Sequence, residues 1–433
     1  MYSIIAFFVT AFPLLIYPWG ENLYYTLPKT NYLIFFTILL WSVILILISK
    51  KKITIKKATL AERMVFLYTI IICTSTALSV DTNLSLQGGE KRLEGFPVLV
   101  CYASLFFFSF RYISTNKLDL VIRLITYCSA LVALYGILQH FQLDFLPRNS
   151  KKLDWTRSYA FFDNPNFFGS YLVLMILPAT ALYLSSKKKI YQILHLGIIS
   201  ILFIALIYSI TRSAWLGTFC GFIFLSFFVI WKRRYLWKRW LLLLVILASL
   251  FILINKFENN SYLTRANTII SDADSVLSGE NTGDAGSSRW YIWKKSLPLV
   301  KEYFWFGSGP DTFAVVFPNN PEEKQKYFNN PDIKVDKAHN EYLQIAVTLG
   351  VPALIVYLIF ISHILISGLK AARRQSGDLQ IYTYGLLAAI VGYLIQAFFN
   401  ISVVPVAPFF WIFLGMLYRI ANPLLAEENG VEK

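Results

Sequence analysis

Charge is scarce in this sequence, because only 15% of its 433 residues are Asp, Glu, Lys or Arg. A soluble globular domain contains about 25% charged residues. Hydrophobic residues instead make up 56% of the chain and aromatic residues 17%. Helical apolar runs of roughly 20 residues are long enough to cross the hydrocarbon layer of a membrane. The composition therefore argues against a soluble enzyme and predicts an all-α polytopic membrane protein, with its backbone polar groups bonded within the helices.

Cysteine is also rare, and none of the four cysteines lies in the longest polar stretch. All four are in or beside apolar runs, so we expect neither disulfides nor a cysteine-based metal site. The sequence contains no HExxH motif, no paired CxxC motifs and no Walker glycine loop. A mechanism that is zinc-dependent or driven by ATP therefore has no support, and we expect no cofactor.

Apolar runs are what the sequence has in abundance, and they predict about 12 transmembrane helices. The first run has no basic region before it and no small-residue cleavage site after it. We therefore expect it to be the first span rather than a signal peptide. The spans are predicted at residues 2–19, 31–49, 64–80, 96–113, 118–138, 167–184, 192–210, 214–231, 240–255, 341–366, 381–399 and 406–420.

Lys and Arg concentrate on one side of this arrangement. The even-numbered gaps between spans contain basic runs at residues 50–52, 187–189 and 232–234. With their flanks and the C-terminal tail they hold 22 basic and 6 acidic residues, a net charge of +16, against 18 basic and 19 acidic residues, a net charge of −1, on the other side. Because short cytoplasmic loops carry the excess of basic residues, we expect both termini in the cytoplasm. Topology thus explains these charges, so nucleic-acid binding is not indicated, and anionic membrane lipids are their expected partners.

This orientation places the longest gap outside the cytoplasm. We expect residues 1–255 to form nine spans and residues 256–338 to form one large extracytoplasmic loop domain that contains helices. Residues 339–433 are expected to form the last three spans and a cytoplasmic tail.

Two helices are predicted within the loop domain. Apolar residues at helical spacing predict the first over residues 262–277. Residues 279–288 are rich in Gly, Asn, Asp and Ser, which is typical of a flexible loop. Ser288 is expected to cap a second helix, which starts near Arg289 and has an aromatic face. Backbone amides of the turn at residues 307–310 could form an anion-binding nest, although a plain turn is favoured.

Arg212 is the most informative single charge. It lies in a short turn between two spans, on the side opposite to the basic bias, and no acidic residue is near it in sequence. An arginine at the membrane surface is usually a snorkelling anchor. We favour a functional role, because an arginine without a local acid implies an anionic partner from elsewhere. A phosphate matches the fork of the guanidinium group.

Arg289 and His339 are weaker signals by themselves. Helix N-termini favour anions, so an arginine at the start of the second outer helix fits either an ordinary solvated residue or a shared anion. His339 directly precedes the tenth span. A neutral imidazole there can take a proton from a sugar hydroxyl, although a packed interfacial position is the commoner outcome for a lone histidine.

Together these residues resemble the bacterial O-antigen ligase and polymerase superfamily. Two stretches are similar to the arginine and histidine motifs of that family, and the plan of twelve spans with one large outer loop between the ninth and tenth also fits. The stretches read Thr211-Arg212-Ser213-Ala214-Trp215-Leu216-Gly217 and Ala338-His339-Asn340-Glu341-Tyr342-Leu343-Gln344. Arg157 with Asn164-Pro165-Asn166, and residues 306–313, fit the same pattern.

The resemblance implies a GT-C-like membrane glycosyltransferase that needs no metal. Its donor would be a glycan on undecaprenyl pyrophosphate, and its acceptor a glycan, a lipid or a protein. Arg212 and Arg289 would bind the pyrophosphate, and His339 would be the general base. The implied location is the bacterial cytoplasmic (inner) membrane, with the site facing the periplasm or exterior. We further predict Arg157 and Arg92 as pyrophosphate ligands, and Asn340, Glu341 and Tyr342 as supporting residues.

Several functions remain open at this point. Ligases of the family move a finished glycan to an acceptor such as lipid A core in lipopolysaccharide biosynthesis, polymerases extend the glycan, and other members glycosylate proteins. Twelve spans also suit a transporter or flippase, but transporters often place ionisable residues at the bilayer midplane. A scaffolding protein would leave Arg212 and the histidine motif unexplained. We predict a ligase-like glycosyltransferase that inverts the anomeric configuration.

Overall fold

The computed structural model describes residues 2–17, 19, 24–52, 57–146, 157–268 and 288–423. Within these ranges every regular element is a helix. The α-helices are α1 (Tyr2–Ala11), α2 (Thr26–Ser49), α3 (Leu60–Ala77), α4 (Thr82–Gln87), α5 (Phe96–Tyr112), α6 (Leu118–His140), α7 (Pro165–Ser185), α8 (Lys189–Tyr208), α9 (Arg212–Lys232), α10 (Trp237–Phe257), α11 (residues 261–268), α12 (Arg289–Glu302), α13 (Phe313–Val316), α14 (Pro321–Phe328), α15 (Glu341–Thr348), α16 (Val351–Arg374), α17 (Gly377–Ala397) and α18 (Ala407–Ala421).

The predicted spans correspond to apolar helices. Nine helices in the described ranges are long and apolar enough to cross a membrane, and the other three predicted spans coincide with the shorter apolar helices α1, α5 and α18. The nine are α2, α3, α6, α7, α8, α9, α10, α16 and α17. The prediction of an all-α polytopic membrane protein is therefore confirmed.

The centre of the helix bundle is α7, which is buried over nearly its whole length and packs against α17 and α9. Small residues allow these helices to approach closely, as is common between membrane helices. A Cβ atom added to Gly217 on α9 would lie only 2.4 Å from the carbonyl oxygen of Gly392 on α17. A Cβ added to Gly169 would lie 2.8 Å from the Cβ of Thr211. The first turn of α7 is thus packed against the turn that precedes Arg212.

The single helix predicted for residues 341–366 is wrong, because the chain breaks it into α15 and α16. Gly350 lies between the two helices with φ +92°, a left-handed conformation that cannot continue a right-handed helix. A Cβ atom there would be 2.7 Å from the carbonyl oxygen of Trp305, so only glycine fits. Pro352 then lies in the first turn of α16, where its missing N–H is tolerated. The break makes α15 a separate short element at one end of the bundle.

The polar segment between α10 and α15 is partly helical, as predicted. The first predicted helix is observed as α11, and residues 269–277 lie outside the described ranges. The loop predicted for residues 279–288 also lies outside them, apart from Ser288. The second predicted helix is α12, which begins at Arg289.

The predicted cap of α12 is wrong. Ser288 has a left-handed backbone, with φ +64°, and makes no side-chain capping bond to the helix. Its hydroxyl instead donates a hydrogen bond to the carbonyl oxygen of Tyr327, at 2.6 Å. A contact with α14, which is remote in sequence, has thus displaced the local cap.

The turn at residues 307–310 is a plain turn, as favoured. The amide of Ser308 donates to the carbonyl oxygen of Val347, and the amide of Gly309 donates to that of Thr348, both at 2.9 Å. These amides are therefore used to attach the turn to the last residues of α15, and they do not form an anion-binding nest.

Candidate active site

His339 lies directly before α15 in an uncommon backbone conformation, with φ +48°. The next residue, Asn340, caps α15: its side-chain oxygen accepts hydrogen bonds from the amides of Tyr342 and Leu343, at 3.0 and 3.1 Å. The imidazole is partly buried, and its Nδ1 atom has no hydrogen-bond partner among the described residues. The side chain is thus presented by a helix cap rather than fixed by a partner of its own.

Hydrogen bonds on the N-terminal side of His339 fix the backbone as well. The indole of Trp293, on α12, donates to the carbonyl oxygen of Ala338 at 3.0 Å. The amide of Ala338 donates to the side-chain oxygen of Gln344 at 2.9 Å. Because α12 begins at Arg289, one turn before Trp293, these contacts hold the start of α12 beside the histidine.

Two arginines act on the imidazole electrostatically. Burial and the charges of Arg289 and Arg92 lower the pKa of His339 to about 4, and the carboxylate of Asp336 opposes this shift only in part. The ordinary pKa of histidine is about 6.5. The imidazole is therefore neutral at neutral pH and can accept a proton.

Arg92 lies in the segment between α4 and α5, and an ion pair with Asp336 holds it near the histidine. Its Nε atom lies 2.7 Å from a carboxylate oxygen of Asp336, three residues before His339. Burial raises the pKa of Asp336, but the Arg92 guanidinium outweighs it, so the pKa falls below its ordinary value. The carboxylate is therefore charged, and the ion pair ties two segments that are remote in sequence to one another.

Arg157 contacts the turn between α8 and α9. Its guanidinium donates to the carbonyl oxygens of Ser209 and Ile210, at 3.1 and 3.3 Å, and to the side-chain oxygen of Asn166 at 3.2 Å. Ile210 has φ +50°, so the turn is sharply bent. Arg157 thus stabilises the turn from which Arg212 emerges.

Arg212 is the first residue of α9, directly after this turn. Its Nη1 atom donates a hydrogen bond of 2.7 Å to the hydroxyl of Thr268, at the end of the described part of α11. The side chain therefore points from the bundle towards the polar segment.

The first turn of α7 connects the two groups of charged residues. The side-chain oxygen of Asn166 accepts from Arg157, and the ring of the next residue, Phe167, lies 5.2 Å from the guanidinium carbon of Arg92. The structure thus brings Arg92 and Arg289 to His339, and places Arg157 against the turn before Arg212. Arg157 and Arg92 therefore contact two neighbouring residues in the first turn of α7.

Two of the predicted supporting residues attach α15 to the bundle. The carboxylate of Glu341 accepts a hydrogen bond from the amide of Ser402 at 2.7 Å. The hydroxyl of Tyr342 donates to the carbonyl oxygen of Leu394, at the end of α17, at 2.9 Å. Both residues therefore hold the element that carries the histidine motif.

Four charged residues near this site were missed by the sequence reasoning. Asp336 and Lys337 directly precede the histidine motif, which is the only signal that could have indicated them. Lys337 pairs with Glu94, which is 243 residues away in sequence, and with Asp311. Such partners follow from the tertiary fold and have no local pattern.

Among the site residues named above, the positive groups belong to four arginines and to Lys337. In the part of the chain that the structure describes, no group of three or more His, Cys, Asp or Glu side chains could hold a metal ion. The metal-independent mechanism stays a prediction, and its chemistry must be tested by activity.

The stretch from α8 to α16 contains the arginine turn, the polar segment and the histidine motif. Residues 197–358 match the O-antigen ligase family model. The resemblance to the O-antigen ligase superfamily is confirmed by this match, which supports an enzyme of the O-antigen ligase or polymerase type. The matched O-antigen ligase region includes Arg212, Arg289 and His339, whereas Arg92 and Arg157 come from outside it. No curated protein significantly matches the chain.

Proposed function

We propose that this protein is a glycosyltransferase that moves a glycan from undecaprenyl pyrophosphate to an acceptor hydroxyl, at the outer face of the cytoplasmic membrane. The observation that carries the proposal is the neutral imidazole of His339, which is influenced by Arg289 and Arg92 and lies within the O-antigen ligase match. A general base beside cationic side chains suits a reaction in which the acceptor hydroxyl loses its proton while an anionic leaving group departs.

The reaction joins the acceptor oxygen to the anomeric carbon and breaks the bond from that carbon to the pyrophosphate oxygen. His339 accepts the proton of the attacking hydroxyl. The bonding electrons leave with the pyrophosphate, whose growing negative charge needs pre-aligned donors. A single displacement of this kind inverts the anomeric configuration, and the donor needs no further activation.

The arginines would hold the leaving group. Charge-assisted bonds from a guanidinium fork to phosphate oxygens are about twice as strong as neutral hydrogen bonds. In this proposal Arg289 and Arg92 approach the pyrophosphate from the side of His339, and Arg212 from the start of α9. Arg157 would contribute as a ligand and as the residue that fixes the turn before Arg212.

Donor binding would strengthen the base. Burial and the two arginine charges keep the pKa of His339 at about 4 in the free protein. Because a bound pyrophosphate offsets the arginine charges, it would raise this pKa towards the ordinary value. A base whose pKa lies nearer to the working pH is more effective, so His339 would become competent only when donor is present.

The test is a transfer assay with the purified full chain in lipid vesicles. A radiolabelled glycan on undecaprenyl pyrophosphate is supplied together with membranes that contain candidate acceptors, and release of undecaprenyl pyrophosphate is measured. His339→Ala should lower the rate by about 10²- to 10⁴-fold, because general-base assistance is lost. His363→Ala, on α16, is the matched control and should retain the wild-type rate.

The outcomes separate the candidate functions. One transferred glycan per acceptor indicates a ligase, a ladder of repeats indicates a polymerase, and label on protein indicates protein glycosylation. Movement of intact donor across the membrane without release of undecaprenyl pyrophosphate would identify a flippase and contradict the proposal. An unchanged rate in the His339→Ala variant would remove this residue from the mechanism.

A further inference from the structure

A lysine and two carboxylates form a buried ion triad next to the histidine motif. The Nζ atom of Lys337 lies 2.8 Å from a carboxylate oxygen of Glu94 and 2.8 Å from one of Asp311. The three side chains are only 4%, 7% and 3% exposed, respectively. Burial lowers the pKa of Lys337, but Asp311 and Glu94 outweigh it and raise the pKa above its ordinary value. The ammonium group is therefore charged.

The triad joins three segments that are remote in sequence. Lys337 lies two residues before His339, and Glu94 lies two residues after Arg92. Asp311 follows the turn at residues 307–310, and its carboxylate also accepts hydrogen bonds from the amides of Gly89 and Glu94, at 2.6 and 3.2 Å. One cluster thus fixes the backbone on which Arg92 is carried and the backbone on which His339 is carried.

We propose that Lys337 is a positioning residue, which through Glu94 and Asp311 holds the Arg92 segment against the His339 segment. The inference rests on the proposed function of the same site. In this role the triad sets the distance between a pyrophosphate ligand and the general base, and it acts through Arg92 and His339 rather than on the substrate itself. Its contribution would therefore be to the rate of transfer more than to the stability of the fold.

Energetics favour this role over simple stabilisation. A buried ion pair is often no more stabilising than apolar residues of the same volume, because both charges must be removed from water. In this proposal the cluster instead provides a defined geometry for the two segments. His339 has a left-handed backbone, which persists only when surrounding contacts hold it. The Trp293 indole and the Asn340 cap supply two of these contacts. Lys337 supplies another through its ion pairs with Glu94 and Asp311.

The first test variant is the double substitution Lys337→Met with Glu94→Gln. Lys337→Met alone would leave two buried carboxylates without a cation, so it is expected to fold poorly. The double variant leaves only Asp311, which retains the two backbone amides as partners. We expect its thermal unfolding to return close to that of the wild type, while turnover stays lower by about 10- to 100-fold. A displacement of about 1 Å between reacting groups can reduce turnover by this amount.

A control is available at the opposite end of the bundle. Arg111, in the last turn of α5, pairs with Glu62, in the first turn of α3, at 2.6 Å. Both side chains are mostly buried. The double variant Arg111→Met with Glu62→Gln removes a comparable ion pair, and it should retain the wild-type turnover. Equal losses of turnover in both double variants would overturn the positioning role, since any buried pair would then have the same effect.

Hydrogen exchange gives a readout that does not depend on activity. In the Lys337 double variant, the amides of residues 88–95 and 336–340 should exchange faster than in the wild type, and those of α7 should not change. Unchanged exchange, or wild-type turnover, would overturn the inference. A wild-type protein without transfer activity would instead contradict the proposed function, and the exchange measurement would still decide whether the triad positions the two segments.

A second variant serves if the double variant does not fold. Asp311→Asn leaves Lys337 paired with Glu94, which is a charge-balanced buried pair, but it weakens the bonds to the amides of Gly89 and Glu94. Faster exchange in residues 88–95 and slower turnover would support the inference. Wild-type values for both would overturn it.

Discussion

Arg212 follows a sharply bent turn, His339 has a left-handed backbone itself, and both lie next to the start of a helix, yet different interactions hold them. The turn before Arg212 is stabilised by Arg157, whose guanidinium donates to two carbonyl oxygens of that turn. The helix that follows is a long apolar span. His339 instead precedes the short helix α15, which is held by a cap, by contacts with α12 and by ion pairs to remote segments.

This difference has a functional meaning within the proposed mechanism. A ligand of the pyrophosphate has only to present a guanidinium at the end of a rigid span. A general base must also have the correct protonation state and lie within hydrogen-bond reach of the attacking hydroxyl. The histidine side therefore needs more supporting contacts than the arginine side, and it should be the more sensitive of the two to changes in distant residues.

The largest loss of turnover is expected when Arg212 and Arg289 are both replaced. Arg212→Ala and Arg289→Ala should each lower turnover by roughly 10²- to 10³-fold, as is typical when one donor to a developing negative charge is lost. If both bind one pyrophosphate, the double variant should lose less than the product of the two single losses, with a coupling of about 0.5–3 kcal/mol.

If the loss of turnover in the double variant equals the product of the two single losses, the arginines act independently. This result would contradict one shared pyrophosphate site. Lysine at either position is the matched control. It keeps the positive charge but loses the planar fork, so only part of the activity should return.

The break between α15 and α16 should be the next most sensitive feature. Gly350→Ala forces a residue with a Cβ into φ +92° and within 2.7 Å of the Trp305 carbonyl oxygen. We expect a loss of about 1–3 kcal/mol in the free energy of unfolding. Gly197→Ala, on α8, is the control, because a Cβ there meets nothing within 4 Å. An unchanged free energy of unfolding in the Gly350→Ala variant would contradict the conclusion that only glycine fits between α15 and α16.

The cap of α15 should give the smallest of these effects. Asn340→Ala removes the acceptor for two backbone amides and should lower the free energy of unfolding by about 1 kcal/mol. Turnover should fall as well, since the cap adjoins His339. Asn320→Ala removes the cap of α14 and should give a similar stability loss with wild-type turnover. Equal turnover in the two variants would argue against a link between the cap and the base.

The positions of the spans could be predicted because each depends on the composition of its own residues. The break between α15 and α16 was not predicted, because residues 341–366 form one apolar run and hydropathy carries no information about backbone conformation. Gly350 followed by Pro352 was the local signal for it. The prediction that Ser288 caps α12 was wrong for the opposite reason. The local pattern suits a cap, but the Ser288 hydroxyl donates its hydrogen bond to the carbonyl oxygen of Tyr327 instead.

The candidate site was predictable only in its motif residues. Arg212, Arg289 and His339 stand out by position and by resemblance, and the structure places Arg289 near enough to His339 to affect its pKa. The environment of His339 depends on Asp336, Lys337 and their partners near residues 92–94. Arg92 and Asp336 are 244 residues apart, and Glu94 and Lys337 are 243 residues apart, so neighbouring residues in the sequence cannot indicate these pairs.

The most direct test is an NMR titration of the protein with labelled histidine, with and without inorganic pyrophosphate. The chain has only four histidines, so the His339→Gln variant assigns the signal. The imidazole of His339 should titrate with a pKa of about 4 in the free protein. Saturating pyrophosphate should raise this pKa, because the anion offsets the charges of Arg289 and Arg92. An ordinary pKa near 6.5 that pyrophosphate leaves unchanged would contradict a shared site for base and leaving group.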